Sequence, residues 1–325
     1  RPGRGAANCR KQARGVQPSE RSGIDRPMTE SVGLLLLGSV ALLLLLCVLV
    51  WGIVWDARHP PRATAGWALA NGFPAHPADV GWQASDEMWS GPLPAFRVVG
   101  NNPSGPVAVF VHGWRRSRID SMRRAGIWIP RIRAAWLIDL VGHGDSPKGP
   151  THLGASDVEM IVRFCADLVA REGAGTRLVI IGHSLGAAIT LRVAALLPKD
   201  TLAGAVAFAP YESLLEPISN RLRRQGLPVW PAAVCSTAAL RALCGRERST
   251  SAAVATLQAR GIPMLIVASA ADTHVPLPHV RRIAGPVCDQ VIVELDTSHD
   301  AIGTGPTPNA DSPTELAVRA FTSRW

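Results

Sequence analysis

The sequence predicts an α/β fold, and two patterns carry that expectation. Six short apolar runs, Val107–Val111, Trp136–Leu140, Leu178–Ile181, Gly204–Phe208, Met264–Ala268 and Val291–Leu295, are continuous rather than alternating, and helical stretches stand between them. Continuous runs belong to strands buried on both faces, as in a parallel sheet covered by helices. The β-α-β-α order then gives the class. The second pattern is Gly182-His183-Ser184-Leu185-Gly186, directly behind Leu178–Ile181 and ahead of the mostly apolar Ala187–Leu197, which Pro198 ends. Glycines two before and two after a serine suit a sharp strand-to-helix turn, where a Cβ would clash.

The elements follow in chain order. Residues 1–31 form a polar, Gly/Pro/Arg-rich tail without periodicity, expected to be disordered. Residues 1–27 carry +5 of the +9 net charge, and translation is expected to begin at Met28. Residues 32–54 contain no charge. As a helix rising about 1.5 Å per residue they cross a hydrocarbon core of ~30 Å, so a single-pass anchor in the cell membrane is expected. Ala63-Thr64-Ala65 resembles a signal-peptide cleavage site, but the apolar run is longer than the usual ~7–15 residues. The side of the membrane is open: the basic tail favours an exported domain, whereas Arg58 and Arg62, with a start at Met28, favour a cytoplasmic one.

Residues 55–80 read as a linker and residues 81–325 as the globular domain. A strand signal at Ala95–Val99 precedes a turn at Asn101–Gly105. Helices are expected at Ala155–Glu172, Leu185–Leu197, Leu277–Ile283 and Pro313–Phe321. Between the strands at 204 and 264 lies an insertion of about 211–261. That is too long for a structureless loop, so a helical cap is expected there.

Composition narrows the partners. Basic residues number 34 against 25 acidic ones, and Arg115-Arg116-Ser117-Arg118, Arg123-Arg124 and Arg221-Leu222-Arg223-Arg224 read chiefly as solvated surface, with an anionic-lipid patch as the rival. With one Tyr and six Phe there is little material for base stacking, and no nucleic-acid partner is expected. The six cysteines show no metal-ligand spacing. A Cys235–Cys244 bridge stays open for an exported domain.

Three further segments fall where acyl-transfer chemistry needs them. Val107–Val111 ends in His112-Gly113-Trp114, a tight turn that lets a backbone N–H face Ser184. The N–H groups of Trp114 and Leu185 are therefore the expected oxyanion hole. Met264–Ala268 leads to Asp272, and Val291–Leu295 leads to His299. In this order Ser184 is the nucleophile, Asp272 the acid and His299 the base. Asp296 and Asp300 share the loop of His299 and are weaker acids; His274 and His279 lie too near Asp272 in the chain to approach Ser184 easily. His112, His143 and His183 are expected to hold turns or loops.

These motifs, with Asp139-Leu140-Val141-Gly142-His143-Gly144-Asp145-Ser146, make the chain from about residue 95 onward resemble the α/β-hydrolase superfamily, particularly its serine esterases and lipases. The resemblance implies a doubly wound, mostly parallel eight-stranded sheet with a cap in the 211–261 insertion. It also implies hydrolysis of an acyl ester, small or lipid, through an acyl-serine intermediate with no metal or organic cofactor. The superfamily's peptidases, thioesterases, acyltransferases and non-catalytic members are the alternatives.

Overall fold

The structure is a computed structural model and describes residues 26–89, 93–173, 175–304 and 312–325. The expected tail up to residue 25, with Cys9, lies outside the described residues. The chain divides into two compact units, Arg1–Cys47 and Val48–Trp325.

Helix α1 (Arg26–Arg58) contributes to both units. It begins inside the segment expected as tail. Leucine-rich composition sustains it, its one proline, Pro27, falling in the first turn, and Ser39 Oγ donates to Leu35 O at 2.8 Å, so its hydroxyl is satisfied locally. Among the described residues it is the one helix long and apolar enough to cross a membrane.

In the second unit the order is α2 (Ala65–Ala70), β1 (Ala84–Trp89), β2 (Leu93–Val99), β3 (Val107–Val111), α3 (Arg118–Ala125), β4 (Ala134–Ile138), α4 (Asp157–Glu172), β5 (Leu178–His183) and α5 (Leu185–Leu196). Then follow β6 (Leu202–Phe208), α6 (Leu215–Arg224), α7 (Ala232–Cys244), α8 (Thr250–Ala259), β7 (Met264–Ser269), α9 (Leu277–Ala284), β8 (Ile292–Glu294) and α10 (Pro313–Thr322). One eight-stranded sheet runs β1-β2-β4-β3-β5-β6-β7-β8. The pairs β1–β2 and β2–β4 are antiparallel, and all others are parallel. Every residue of β3, β4, β5 and β6 is buried, as continuous apolar runs require. The expected α/β class and mostly parallel sheet therefore hold.

β1 escaped the sequence reading because its pattern, Ala-Ser-Asp-Glu-Met-Trp, is that of an exposed edge strand with no buried position. α3 escaped it because its arginines mask the apolar stripe of Ile119, Met122 and Ala125.

Residues 55–80, expected as a linker, are bonded into the second unit. Trp114 Nε1 donates to Ala57 O at 3.0 Å, Thr151 N donates to Arg58 O at 2.8 Å, and Arg62 Nε donates to Gly144 O at 2.9 Å. Ala68 of α2 is fully buried. The insertion carries α6, α7 and α8: α6 packs on α7, and α8 packs on α5 and α9. Cys235 and Cys244 are both free and lie nine positions apart on α7. A rise of about 1.5 Å per residue keeps their sulfurs too far apart to bridge.

Candidate active site

Ser184 stands between β5 and α5 with φ 54° and ψ −115°. A non-glycine residue reaches positive φ only where its surroundings over-determine it. Here they do. Ser184 N donates to Phe208 O of β6 at 2.8 Å, while its carbonyl accepts the N–H of Ala187 and of Ala188 as α5 begins. The flanking glycines leave no room for a side chain: a Cβ on Gly186 would lie 2.0 Å from Val111 O, and one on Gly182 would lie 2.2 Å from Gly186 O.

The parallel strands end near one another, and the loops behind β7 and β8 bring two more side chains to the serine. His299 Nε2 lies 3.0 Å from Ser184 Oγ, and His299 Nδ1 lies 2.7 Å from Asp272 Oδ2. A carboxylate only accepts, so Nδ1 carries the ring proton and Nε2 is left to accept the serine hydroxyl. Asp272 is held in turn. Its Oδ1 accepts the N–H of His274 at 2.7 Å and of Val275 at 3.0 Å. Both Asp272 and His299 are buried.

The other two expected site groups face the same space. Trp114 and Leu185 line the cavity with Ser184, and among the described residues neither backbone N–H donates to a protein acceptor.

The rival residues have other partners. Asp300 pairs with Arg116 at 2.5 Å. His183 donates from Nε2 to His299 O at 2.8 Å, so the histidine that precedes Ser184 orients the loop of His299. Burial holds the His183 ring neutral, its pKa well below the ordinary value. His274 stacks on His299 with ring centroids 4.8 Å apart. Its pKa is lowered to about 4 by burial and by the neighbouring His299 and Arg224.

The Asp139–Ser146 segment is architectural. Asp139 accepts the N–H of Arg118 at 2.6 Å and of Asp145 at 2.9 Å. Gly144 is required because a Cβ there would lie 2.3 Å from that carboxyl group. His112 donates from Nδ1 to Gly113 O at 2.7 Å and accepts Leu140 N–H on Nε2 at 3.0 Å, which shapes the Trp114 turn.

Several contributors were invisible in the sequence. Arg124, read as surface, is buried; it donates from Nε to Ile302 O at 2.9 Å and from Nη2 to Asp300 O at 2.7 Å, pinning the His299 loop to α3. Arg115 and Arg221 both pair with Asp56 at the end of α1. The last turns of α1 supply Val48, Leu49, Gly52 and Ile53 to the wall of the cavity around Ser184, whose volume is about 590 Å³. None of these contacts leaves a signal in the sequence, because each joins positions far apart in the chain.

Among the described residues one cluster has metal-ligand chemistry: Asp272, His274 and His299, with ligand atoms within 4.8 Å of one another. Asp272 Oδ2 and His299 Nδ1 are already bonded to each other, so an ion taking both would break that bond.

The fold is that of an enzyme of the hydrolase type, with Ser184 at a strand-to-helix turn. A profile of the Alpha/beta hydrolase family matches residues 108–320, and the chain belongs to that family. Among solved structures, an esterase of Pyrococcus furiosus, PF2001, is similar with a TM-score of 0.59 and 17% identity over 83% of this chain and 98% of that one. A membrane phospholipase A described as a bacterial virulence factor is similar at 0.54 and 17%, over 92% and 98%. A structure from a study of carboxylesterases of the thaumarchaeon Nitrososphaera gargenis is similar at 0.54 and 11%, over 74% and 99%. At such identities the likeness is one of fold. No curated protein sequence matches the chain.

Proposed function

We propose that this chain is a membrane-anchored serine hydrolase of carboxylic esters, with Ser184 as nucleophile, His299 as general base and acid, and Asp272 as the residue that orients and charge-stabilises His299. The observation that carries the reading is the continuous hydrogen-bond chain Ser184 Oγ, His299, Asp272. In this mechanism His299 Nε2 takes the Ser184 proton as Oγ attacks the ester carbonyl carbon. The oxyanion that forms accepts from the N–H groups of Trp114 and Leu185, two residues that line the cavity with Ser184. His299 returns the proton to the departing alcohol. Water then adds to the acyl-serine by the same route and releases the acid.

Two features favour an ester over a peptide. The acidic residues lining the cavity, Asp56 and Asp300, are both engaged by arginines, so neither is poised to hold a substrate amine. Glu212 and Glu216 stand outside the lining; Glu212 accepts from Ser249 and Ser251, and Glu216 pairs with Arg282. An apolar wall continuous with an apolar helix suits an acyl chain. Trp51 and Trp55 lie near the end of α1 and are exposed, the position of interfacial aromatics beside a bilayer.

A fluorophosphonate probe tests the reading. It should label the wild type and not Ser184→Ala, and p-nitrophenyl esters should be cleaved only by the wild type. Equal labelling of both proteins removes Ser184 from the chemistry.

A further inference from the structure

The charges around Ser184 do not balance. Four arginines line the cavity, Arg115, Arg116, Arg221 and Arg224, against two aspartates, Asp56 and Asp300. Asp56 is shared by Arg115 and Arg221, and Asp300 serves Arg116. That leaves an excess of two positive charges on the lining, one once Asp272 behind His299 is counted, and among the described residues Arg224 pairs with no carboxylate. Its Nη1 instead touches Nε2 of His274, whose ring stacks on His299. A guanidinium is thus laid two rings, His274 and His299, away from Ser184.

Nothing in the fold requires it there. Arg224 is the last residue of α6 and its side chain is exposed, so it neither fills the core nor closes a buried network. It is unfavourable as it stands. Partial burial and the charge of Arg221 lower its pKa, and only Asp272 and Asp300 act from nearby to oppose them. A planar donor fork that meets no anion of its own binds one arriving with a ligand, phosphate being the best geometric match. The same cavity also has apolar lining, from Leu49 and Ile53 of α1 and Ile218 and Leu222 of α6.

We propose that the substrate is an anionic acyl ester, its acyl chain held against the α1–α6 wall and a phosphate group in its alcohol half held by Arg224. This rests on the ester-hydrolase reading and specifies its substrate class. Phosphate on the alcohol side also leaves with the product, so the enzyme releases a fatty acid and a phosphorylated alcohol. A neutral acyl glycerol of the same chain length gains the apolar contacts without the charged one.

The test uses the full chain in neutral detergent micelles with two matched substrates, 1-oleoylglycerol and 1-oleoylglycerol 3-phosphate. The wild type should favour the phosphate ester in kcat/KM by about 10–100-fold, the range of one charge-assisted hydrogen-bonded contact. Arg224→Gln should bring that ratio close to one, chiefly through KM for the phosphate ester, and Arg224→Lys should restore part of it. Equal use of the two esters by the wild type overturns the proposal. So does an equal loss on both in Arg224→Gln, which makes Arg224 an electrostatic aid to His299 rather than a recognition residue. Cleavage of neither ester while p-nitrophenyl esters are still cleaved overturns the proposal alone; cleavage of no ester at all, with Ser184-dependent phosphonate labelling intact, overturns the ester reading itself. Inorganic phosphate should compete with the phosphate ester in the wild type and lose that effect in Arg224→Gln; competition that survives the substitution places the anion elsewhere.

Discussion

Ser184 is held in a strained backbone conformation, and the neighbours that hold it there are glycines for steric reasons. The side chain at φ 54° projects from the turn toward His299, while Gly182 and Gly186 let β5 and α5 approach to distances no Cβ tolerates. Asp272 matters through the proton on His299. With Oδ2 at 2.7 Å from Nδ1 it keeps the tautomer whose Nε2 accepts from serine. Asp272→Asn presents an amide that can donate to Nδ1 and favour the opposite tautomer, so kcat should fall about 10⁴-fold with the fold intact. Stopped assays with unchanged circular dichroism check this; a loss under tenfold moves the acid role to another carboxylate. Ser184, Asp272 and His299 were legible in the sequence because each follows an apolar strand run. Arg124, Arg116 and Arg224 were not, because an arginine in a basic stretch looks the same whether it is buried, paired or waiting for a ligand.

Helix α1 does two things at the level of an element. Its apolar length suits a bilayer, and its last turns enter the cavity wall. Gly52 lines that cavity, and a Cβ there meets nothing within 4 Å, so a large side chain can be placed at the cavity edge without disturbing the packing. Gly52→Trp should therefore shorten the acyl chain the site accepts. Loss of two buried methylenes, about 0.8 kcal/mol each, lowers the ratio of long-chain to short-chain kcat/KM about tenfold. A p-nitrophenyl ester series from C2 to C16 measures it, and an unchanged chain-length profile removes α1 from the acyl site. The strands and the longer helices were legible from continuous apolar runs and helical periodicity. β1, exposed at the sheet edge, and the attachment of residues 55–80 were not, since their contacts are made by backbone groups and scattered small residues.

For the molecule as a whole, buried titratable groups set the response to pH. Burial lowers His112 to about 4 and takes His143 and His183 down as well, so all three are neutral when folded. Unfolded, they bind protons below about 6.5; the unfolded state therefore holds more protons in the window from 6.5 down to 4, and stability falls as pH falls through it. Asp139 acts oppositely. Burial raises it to about 6, so the folded state is the better proton binder between 3.8 and 6, which offsets part of the loss there. The steepest loss is expected between about pH 6 and 5, at about 1.4 kcal/mol per pH unit for each net proton. Urea midpoints from pH 7.5 to 5 read it directly, and a flat profile counts against neutral burial of these histidines. What the sequence determined alone is local: which runs bury both faces, where a turn admits only glycine, and which residues stand at strand ends. Periodicity and steric demand act over a few residues, so they survive in one dimension. The tertiary structure alone decided which arginines form ion pairs, which one is left against His274, and that an apolar helix end forms part of the cavity wall. Those outcomes depend on distances between residues far apart in the chain, and such distances exist only once the sheet has brought the strand ends together.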